Sequence, residues 1–259
     1  MTITTHRLAS IDEIGFSAVL SDLDGVVYRG EEAVPGAVDR FNRWQASGIP
    51  YCFVTNNAEK SAPAFAEKIR RLGIACADDQ VVTSGDVTLD FARDKYEPGS
   101  GLYVIGTDAF KMRVSECGFT LVEKDAAAVL VALDRSFDYA MMKAALRNIL
   151  DGADLIGTNP DLIRPVADGY EPGAGALTQS IAAASGAHPI FMGKPNPAII
   201  RAALSRMDVR AADVIMIGDK LDTDILAGQR AGVTSIFIET GVPRDTQSIV
   251  TPEFILASL

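Results

Sequence analysis

Two carboxylates stand two residues apart in Asp22-Leu23-Asp24-Gly25, just after the apolar run Ala18-Val19-Leu20. In extended chain, residues i and i+2 share a face. Charges placed that close are unfavourable unless a cation or a proton offsets them. The neighbouring Gly25 lets another group approach closely. The same four residues also suit an Asp-Gly turn closing a hairpin, so taken alone the pair leaves metal chemistry and a plain turn both open.

Three further polar clusters follow apolar runs in the same way. Tyr51-Cys52-Phe53-Val54 leads into Thr55-Asn56-Asn57, Pro189-Ile190-Phe191-Met192 into Gly193-Lys194-Pro195, and Val214-Ile215-Met216-Ile217 into Gly218-Asp219 with Asp222, Thr223 and Asp224 behind. Runs of this kind, separated by helical patterns, read as strands of a parallel sheet buried on both faces. The carboxyl ends of such strands line one edge, where ligands bind. The four clusters are therefore expected to converge on one edge of one sheet. Together they supply carboxylates, a hydroxyl, amides and one lysine, the inventory of a phosphate-and-metal site.

The elements that must position these groups alternate along the chain. Pro35-Gly36 opens a helix with Ala37, Val38, Phe41 and Trp44 on one stripe, ended by Gly48. A strand at 50–54 precedes a helix with Phe65, Ile69 and Leu72 on one face, stopped by Gly73. Trp44 and that Phe65/Ile69/Leu72 stripe read as core packing. Val81-Val82 is a further strand, followed by a helix to about Tyr96, and Glu97-Pro98-Gly99-Ser100-Gly101 has linker composition. A second series follows: strand Leu102 to Ile105, a helix ended by Gly118, strand Ala128 to Leu133, a helix over 138–150 and strand Asp154-Leu155-Ile156. A proline- and glycine-rich loop at 165–175 then precedes a helix over 175–185, and residues 189–237 return to strand-helix-strand-helix-strand. Either a core interrupted by an inserted domain or one continuous large sheet satisfies this pattern.

Composition narrows the class of partner. The 259 residues suit one large domain or two modest ones, and 48% hydrophobic with 22% charged residues is ordinary for a globular chain. A net charge of −10 argues against binding nucleic acid through its backbone. It permits a small phosphorylated ligand, since a lysine and a metal can dominate locally. Cys52, Cys76 and Cys117 each sit in or beside an apolar stretch and read as reduced thiols, while His6 and His188 lie too far apart to suggest zinc. The first fifteen residues lack a signal-peptide core and no stretch has the length of a membrane span, so a cytoplasmic protein is expected.

Taken in order, the clusters Asp-x-Asp-Gly, Thr-Asn-Asn, Gly-Lys-Pro and Gly-Asp-x-x-x-Thr-Asp resemble the haloacid dehalogenase superfamily of phosphohydrolases. More narrowly the chain is similar to the NagD-type branch. The segments that carry this likeness are Asp22 to Tyr28, Val54 to Asn57, Val82 to Gly85, Gly157 to Asp161, Pro172 to Leu177 and Gly218 to Ile225. The resemblance runs from about Ser17 to Val242 and favours insertion over a continuous sheet. It implies an α/β fold: a doubly wound, Rossmann-like parallel-sheet core over 1–87 and 189–259, and an inserted smaller α/β cap over 88–188.

The resemblance implies a Mg²⁺-dependent phosphatase acting on a small soluble phosphomonoester. Asp22 is the implied nucleophile, forming an aspartyl-phosphate, and Asp24 the acid for the leaving alcohol and then the base for water. Mg²⁺ would take side-chain oxygens of Asp22 and Asp219 and the backbone carbonyl of Asp24, with Asp224 orienting metal waters or Lys194. Phosphate contacts are expected from Thr55, Asn56, Asn57 and Lys194. Plainer roles stand beside these: helix capping for Thr55, turn chemistry for Asn56 and Asn57, and a solvated charge for a lone lysine. Asp222 reads as a solvated acid, and Gly25 and Gly218 as turn glycines or close-approach points. In the middle domain Asn159, Asp161 and Arg164 face either the substrate or, respectively, a turn and the solvent.

Other readings of the same core are a phospho-acceptor signalling domain and a catalytically silent phosphate-ligand sensor. Asp24 and the insertion speak against the first, and Asp24 also speaks against a dehalogenase, which would not need the second aspartate. No cap lysine among Lys111, Lys124 and Lys143 is singled out for phosphonate cleavage. Closure of the cap over the site would choose the substrate, and the small-residue surface of its helices could support a homodimer.

Overall fold

The runs Ala18–Ser21, Tyr51–Thr55 and Val214–Gly218 are buried at every residue, as strands covered on both faces must be. The structure is a computed structural model that describes residues 4–166, 169–241 and 248–259. These runs lie in a seven-stranded sheet of spatial order His6–Leu8, Phe254–Leu256, Thr234–Ile238, Val214–Gly218, Ala18–Ser21, Tyr51–Thr55, Val81–Thr83. Pairing is parallel from the first of these strands across to Tyr51–Thr55. The described residues within 1–55, 62–82 and 194–259 form one compact unit.

The chain winds outward in two directions from the middle of this sheet. From Ala18–Ser21 it proceeds through Tyr51–Thr55 to Val81–Thr83, and from Val214–Gly218 it proceeds the other way. The switch point therefore falls between Ala18–Ser21 and Val214–Gly218, where Ser21 stands opposite Ile217. Helices Ala37–Ala46 and Ala62–Arg71 bury the expected stripes, Phe41 and Trp44 in one and Phe65 and Ile69 in the other. Phe41 anchors this core, with Trp44 at 5.0 Å in edge contact and Phe53 at 5.0 Å. Gly48 and Gly73 end these helices with φ of +70° and +93°, a conformation that favours glycine.

The second unit, over 56–61 and 83–193, has its own parallel sheet of order Ile190–Phe191, Asp154–Gly157, Ala128–Val131, Gly101–Ile105, Thr120–Leu121. Helices Tyr139–Leu150 and Ala174–Ser185 contribute Ala145, Ile181 and Ala182 to a core with Val129, Val131 and Leu155. Two sequence expectations change here. The Pro- and Gly-rich stretch read as a loop over 165–175 contains an antiparallel hairpin, Ile163–Val166 with Gly169–Pro172. Pro165 and Pro172 are tolerated because a two-stranded ribbon consists only of edges. The run Pro189-Ile190-Phe191-Met192 does not join the large sheet. Its two strand residues pair with Ile156 and Gly157, so only three of the four clusters follow strands of one sheet.

Cys52 and Cys76 are buried, free thiols, each pushed up to about 12 by burial first. Among the described residues no helix is long and apolar enough to cross a membrane.

Candidate active site

Asp22 continues the strand Ala18–Ser21, and its backbone N–H donates to Ile217 O at 2.9 Å. Asp219 follows the neighbouring strand. Parallel pairing thus brings two residues 197 positions apart in sequence to adjacent strand ends at the switch point, where α/β sheets bind ligands. Asp224 joins them by a different device. Leu221–Ile225 forms a single π-helical turn, a local irregularity common at functional sites. That turn leaves Asp222 exposed and buries Asp224. Asp224 Oδ2 accepts from Lys220 N at 3.0 Å, and one oxygen from each of Asp22, Asp219 and Asp224 lies within 4.8 Å of the others.

Lys194 enters this cluster almost completely buried, at 2% exposure. Its Nζ donates to Asp22 Oδ1 at 2.5 Å and to Val54 O at 3.0 Å, and lies 2.7 Å from Asp224 Oδ1. Burial works against the ammonium, but the Asp22 and Asp224 carboxylates outweigh it and hold Lys194 above the ordinary lysine range. Burial pushes the Asp22 carboxyl well up, opposed by Lys194 and reinforced by the charges of Asp224 and Asp219. Three carboxyl groups share one ammonium here, so acids are in excess.

That excess and the all-oxygen donor set match a hard divalent cation such as Mg²⁺. Glycines shape the space around the donors. A Cβ at Gly25 or Gly241 would overlap the Asp219 carboxylate, and one at Gly218 would overlap the Asp224 side chain. Close approach is what Gly25 and Gly218 provide. The residues present fit the cation.

Asp24 lies in the turn that follows Asp22. The N–H groups of Val26, Val27 and Tyr28 all donate to Leu23 O, and Gly25 N donates to Tyr28 O at 2.8 Å. Gly25 has φ +82°. Asp24 is exposed, unlike the three clustered acids. Thr55 is buried at the end of its strand.

The remaining candidates belong to the second unit and have protein partners there. Asn56 Nδ2 donates to Asp161 Oδ2 at 3.0 Å, and Asn56 O accepts from Ser84 Oγ at 2.6 Å and Asn159 Nδ2 at 2.7 Å. Asn57 Oδ1 accepts from Glu59 N at 2.9 Å and Asn159 Oδ1 from Asp161 N at 3.1 Å, both the side-chain-to-backbone bonds of Asx turns. Arg164 Nη1 donates to Glu59 Oε2 at 2.6 Å, beside a second ion pair from Arg135 to Glu59. The structure therefore gathers Asp22, Asp219, Asp224 and Lys194 at one point, and separately knits Asn56, Asn159 and Asp161 into a local network.

Sequence reasoning passed over Thr240 and Gly241. Thr240 Oγ1 donates to Gly25 O at 2.8 Å, and Gly241 backs the Asp219 carboxylate. The signal in the sequence is an apolar run, Ile236 to Ile238, followed by Glu239, Thr240 and Gly241.

Comparison with known proteins identifies the family. The model of haloacid dehalogenase-like hydrolases matches residues 19–120, and an HAD-hydrolase-like model matches residues 191–259. An acid sugar phosphatase of Staphylococcus saprophyticus is 35% identical over 228 residues, 88% of either chain. NagD from E. coli K-12 superposes with a TM-score of 0.85 at 33% identity, over 95% of this chain and 97% of that one. A glycerol phosphate phosphatase from Mycobacterium tuberculosis, solved in complex with calcium, has a TM-score of 0.82 at 30% identity, over 93% and 72% of the respective chains.

Proposed function

This chain belongs to the haloacid dehalogenase-like hydrolases and is a phosphoric monoester hydrolase, and we propose that it uses Mg²⁺ and an aspartyl-phosphate on Asp22 to hydrolyse a small sugar or polyol phosphate. The observation that carries the mechanism is the buried Asp22 carboxylate, bonded to Lys194 and set among Asp219 and Asp224. The substrate class rests on the names of the relatives, an acid sugar phosphatase and a glycerol phosphate phosphatase. Cysteines that are free thiols suit a cytoplasmic setting.

In this reading the Asp22 carboxylate attacks phosphorus, an Asp22 O–P bond forms and the bond to the leaving oxygen breaks. Asp24 gives its proton to that oxygen as it departs. Asp24, now a carboxylate, takes a proton from water. The water oxygen bonds phosphorus, the Asp22 O–P bond breaks, and inorganic phosphate leaves with Asp22 and Asp24 restored. Lys194 favours the ionised form of Asp22 against the effect of burial and holds it in place, and its charge offsets the charge gathering on the transferred group. Asp22, Asp219 and the Asp24 backbone carbonyl would hold Mg²⁺, with Asp224 anchoring Lys194 beside them. When bound, the ion would neutralise the phosphoryl oxygens. Thr55, Asn56 and Asn57 would contact phosphate, and Asn159 and Arg164 are the further candidates for substrate contact.

The test is phosphate release from a panel of sugar, glycerol, nucleotide and pyridoxal phosphates, with Mg²⁺ or with chelator. Release that needs Mg²⁺ and disappears in both Asp22→Asn and Asp24→Asn is the expected outcome. Undiminished release in chelator, or from the Asp22→Asn protein, would rule the mechanism out.

A further inference from the structure

Helix Ala62–Arg71 turns Phe65, Ala66 and Ile69 into the core of the first unit, and Lys68 is buried with them at 9% exposure. Lysine is among the residues least often buried, and burying its ammonium is unfavourable unless partners offset it. Packing alone would select leucine or methionine there. The partners of Lys68 all belong to one short feature, the hairpin Tyr28–Arg29 with Glu32–Ala33. Nζ donates to Gly30 O at 2.5 Å, lies 3.2 Å from Glu31 Oε1, and sits 3.8 Å from the centroid of the Tyr28 ring. The last distance places the cation over the ring face, an attractive arrangement.

A hairpin with two residues per strand is marginal on its own. This one is also the far side of the turn that carries Asp24. Asp24 and Tyr28 form a β-bridge, Gly25 N donates to Tyr28 O at 2.8 Å, and Tyr28 N donates to Leu23 O at 3.2 Å. The charges of Asp24 and Asp22 reach the Tyr28 phenol, which burial first and then those charges keep protonated.

We propose that Lys68 is a positioning residue for the acid/base step: by clamping Gly30 and the Tyr28 ring it fixes the turn that aims Asp24. The inference rests on the reading of Asp24 as the proton donor to the leaving group. Lys68 would touch no substrate, and its influence would pass through Tyr28. Proton transfer demands hydrogen-bond geometry, so a loosened turn degrades that step first. Good leaving groups depart without a proton, whereas poor ones need it.

The experiment measures kcat/KM over an aryl series (p-nitrophenyl, phenyl and p-methoxyphenyl phosphate) for the wild type, Lys68→Met and Lys68→Arg, and the single-turnover rate of phenol release over the same series for Asp24→Asn, with thermal unfolding of each. Methionine keeps most of the stem volume and removes the charge. Lys68→Met is expected to lose no more than about threefold on p-nitrophenyl phosphate and roughly tenfold to a hundredfold on phenyl phosphate, a steeper dependence on the leaving group. Lys68→Arg should restore most of the lost rate, and Lys68→Gln substitutes if the methionine protein does not fold. An equal fall across the series, as a purely structural lysine would give, or no fall at all, would overturn the clamp while Asp24→Asn still steepens the series. A series left unsteepened by Asp24→Asn would overturn the acid assignment and the clamp with it.

Discussion

Lys194 is a buried cation that two buried carboxylates make tenable. Removing one partner of such a group leaves an uncompensated charge, which costs about 3–5 kcal/mol in comparable sites. The three acids around Lys194 outnumber its one ammonium, and the glycines around Asp219 set the shape of the site. Gly25 illustrates how tightly. Its φ of +82° already disfavours any side chain, and a Cβ would enter the space of the Asp219 carboxylate. Gly25→Ala is therefore expected to lower kcat/KM at least tenfold and to raise the Mg²⁺ concentration needed for half-maximal rate. Steady-state kinetics over a Mg²⁺ titration measures both, and an alanine protein with wild-type Mg²⁺ dependence would contradict the packing argument. The inward place of Asp22 was legible in sequence only with the later clusters beside it, because its i, i+2 spacing with Asp24 also suits an Asp-Gly turn, and a turn is where Asp24 lies. Which of Asp222 and Asp224 turns inward was not legible from periodicity, because a π-helical turn sets it.

The strands and helices that carry the site were readable wherever runs were long and apolar, as in Tyr51–Thr55 and Val214–Gly218. Short elements escaped. His6–Leu8 and Phe254–Leu256 are strands because they pair with each other across the length of the chain, a partnership that local pattern does not encode. Ile190–Phe191 has the composition of a core strand, yet two apolar residues do not specify which sheet they join. The hairpin within 163–172 hid behind prolines and glycine that signal a loop. Element junctions also carry charge. At the end of helix Ser84–Lys95, Tyr96 OH donates to Asp154 Oδ2 at 2.6 Å and Lys95 Nζ lies 2.9 Å from it, at the first residue of strand Asp154–Gly157. Burial raises the Asp154 carboxyl, but Tyr96 and Lys95 prevail and hold it below the usual range. A lowered folded value means that this contribution to stability is present above the unfolded carboxylate value, about 3.9, and is lost as pH falls through the folded one. Asp154→Asn should thus lower stability slightly at neutral pH, the group being partly exposed, match the wild type in strong acid, and so flatten the acid limb of a stability-against-pH curve below about pH 4. Chemical denaturation across pH checks this, and an acid limb as steep as that of the wild type would contradict it.

At the scale of the whole molecule, the fold places its chemistry where the sheet reverses its winding, with Asp22 and Asp219 on the two strands that flank the switch point. Residues from opposite ends of the chain are brought together only when that sheet is complete, so a cation bound there should stabilise the folded state. Mg²⁺ at a hundredfold over its dissociation constant would add about 2.7 kcal/mol, seen as a rise in Tm that chelator reverses. Asp219→Asn should abolish that rise, and an undiminished rise in this variant would place the ion elsewhere. The central claim is that phosphate passes through Asp22. Its most direct test is mass spectrometry of the Asp24→Asn protein quenched in acid after mixing with Mg²⁺ and p-nitrophenyl phosphate. The account predicts a phosphoryl mass increment on the peptide that carries Asp22, absent from the Asp22→Asn protein; active wild-type enzyme with no increment on that peptide in the Asp24→Asn protein, or an increment on another residue, would contradict it.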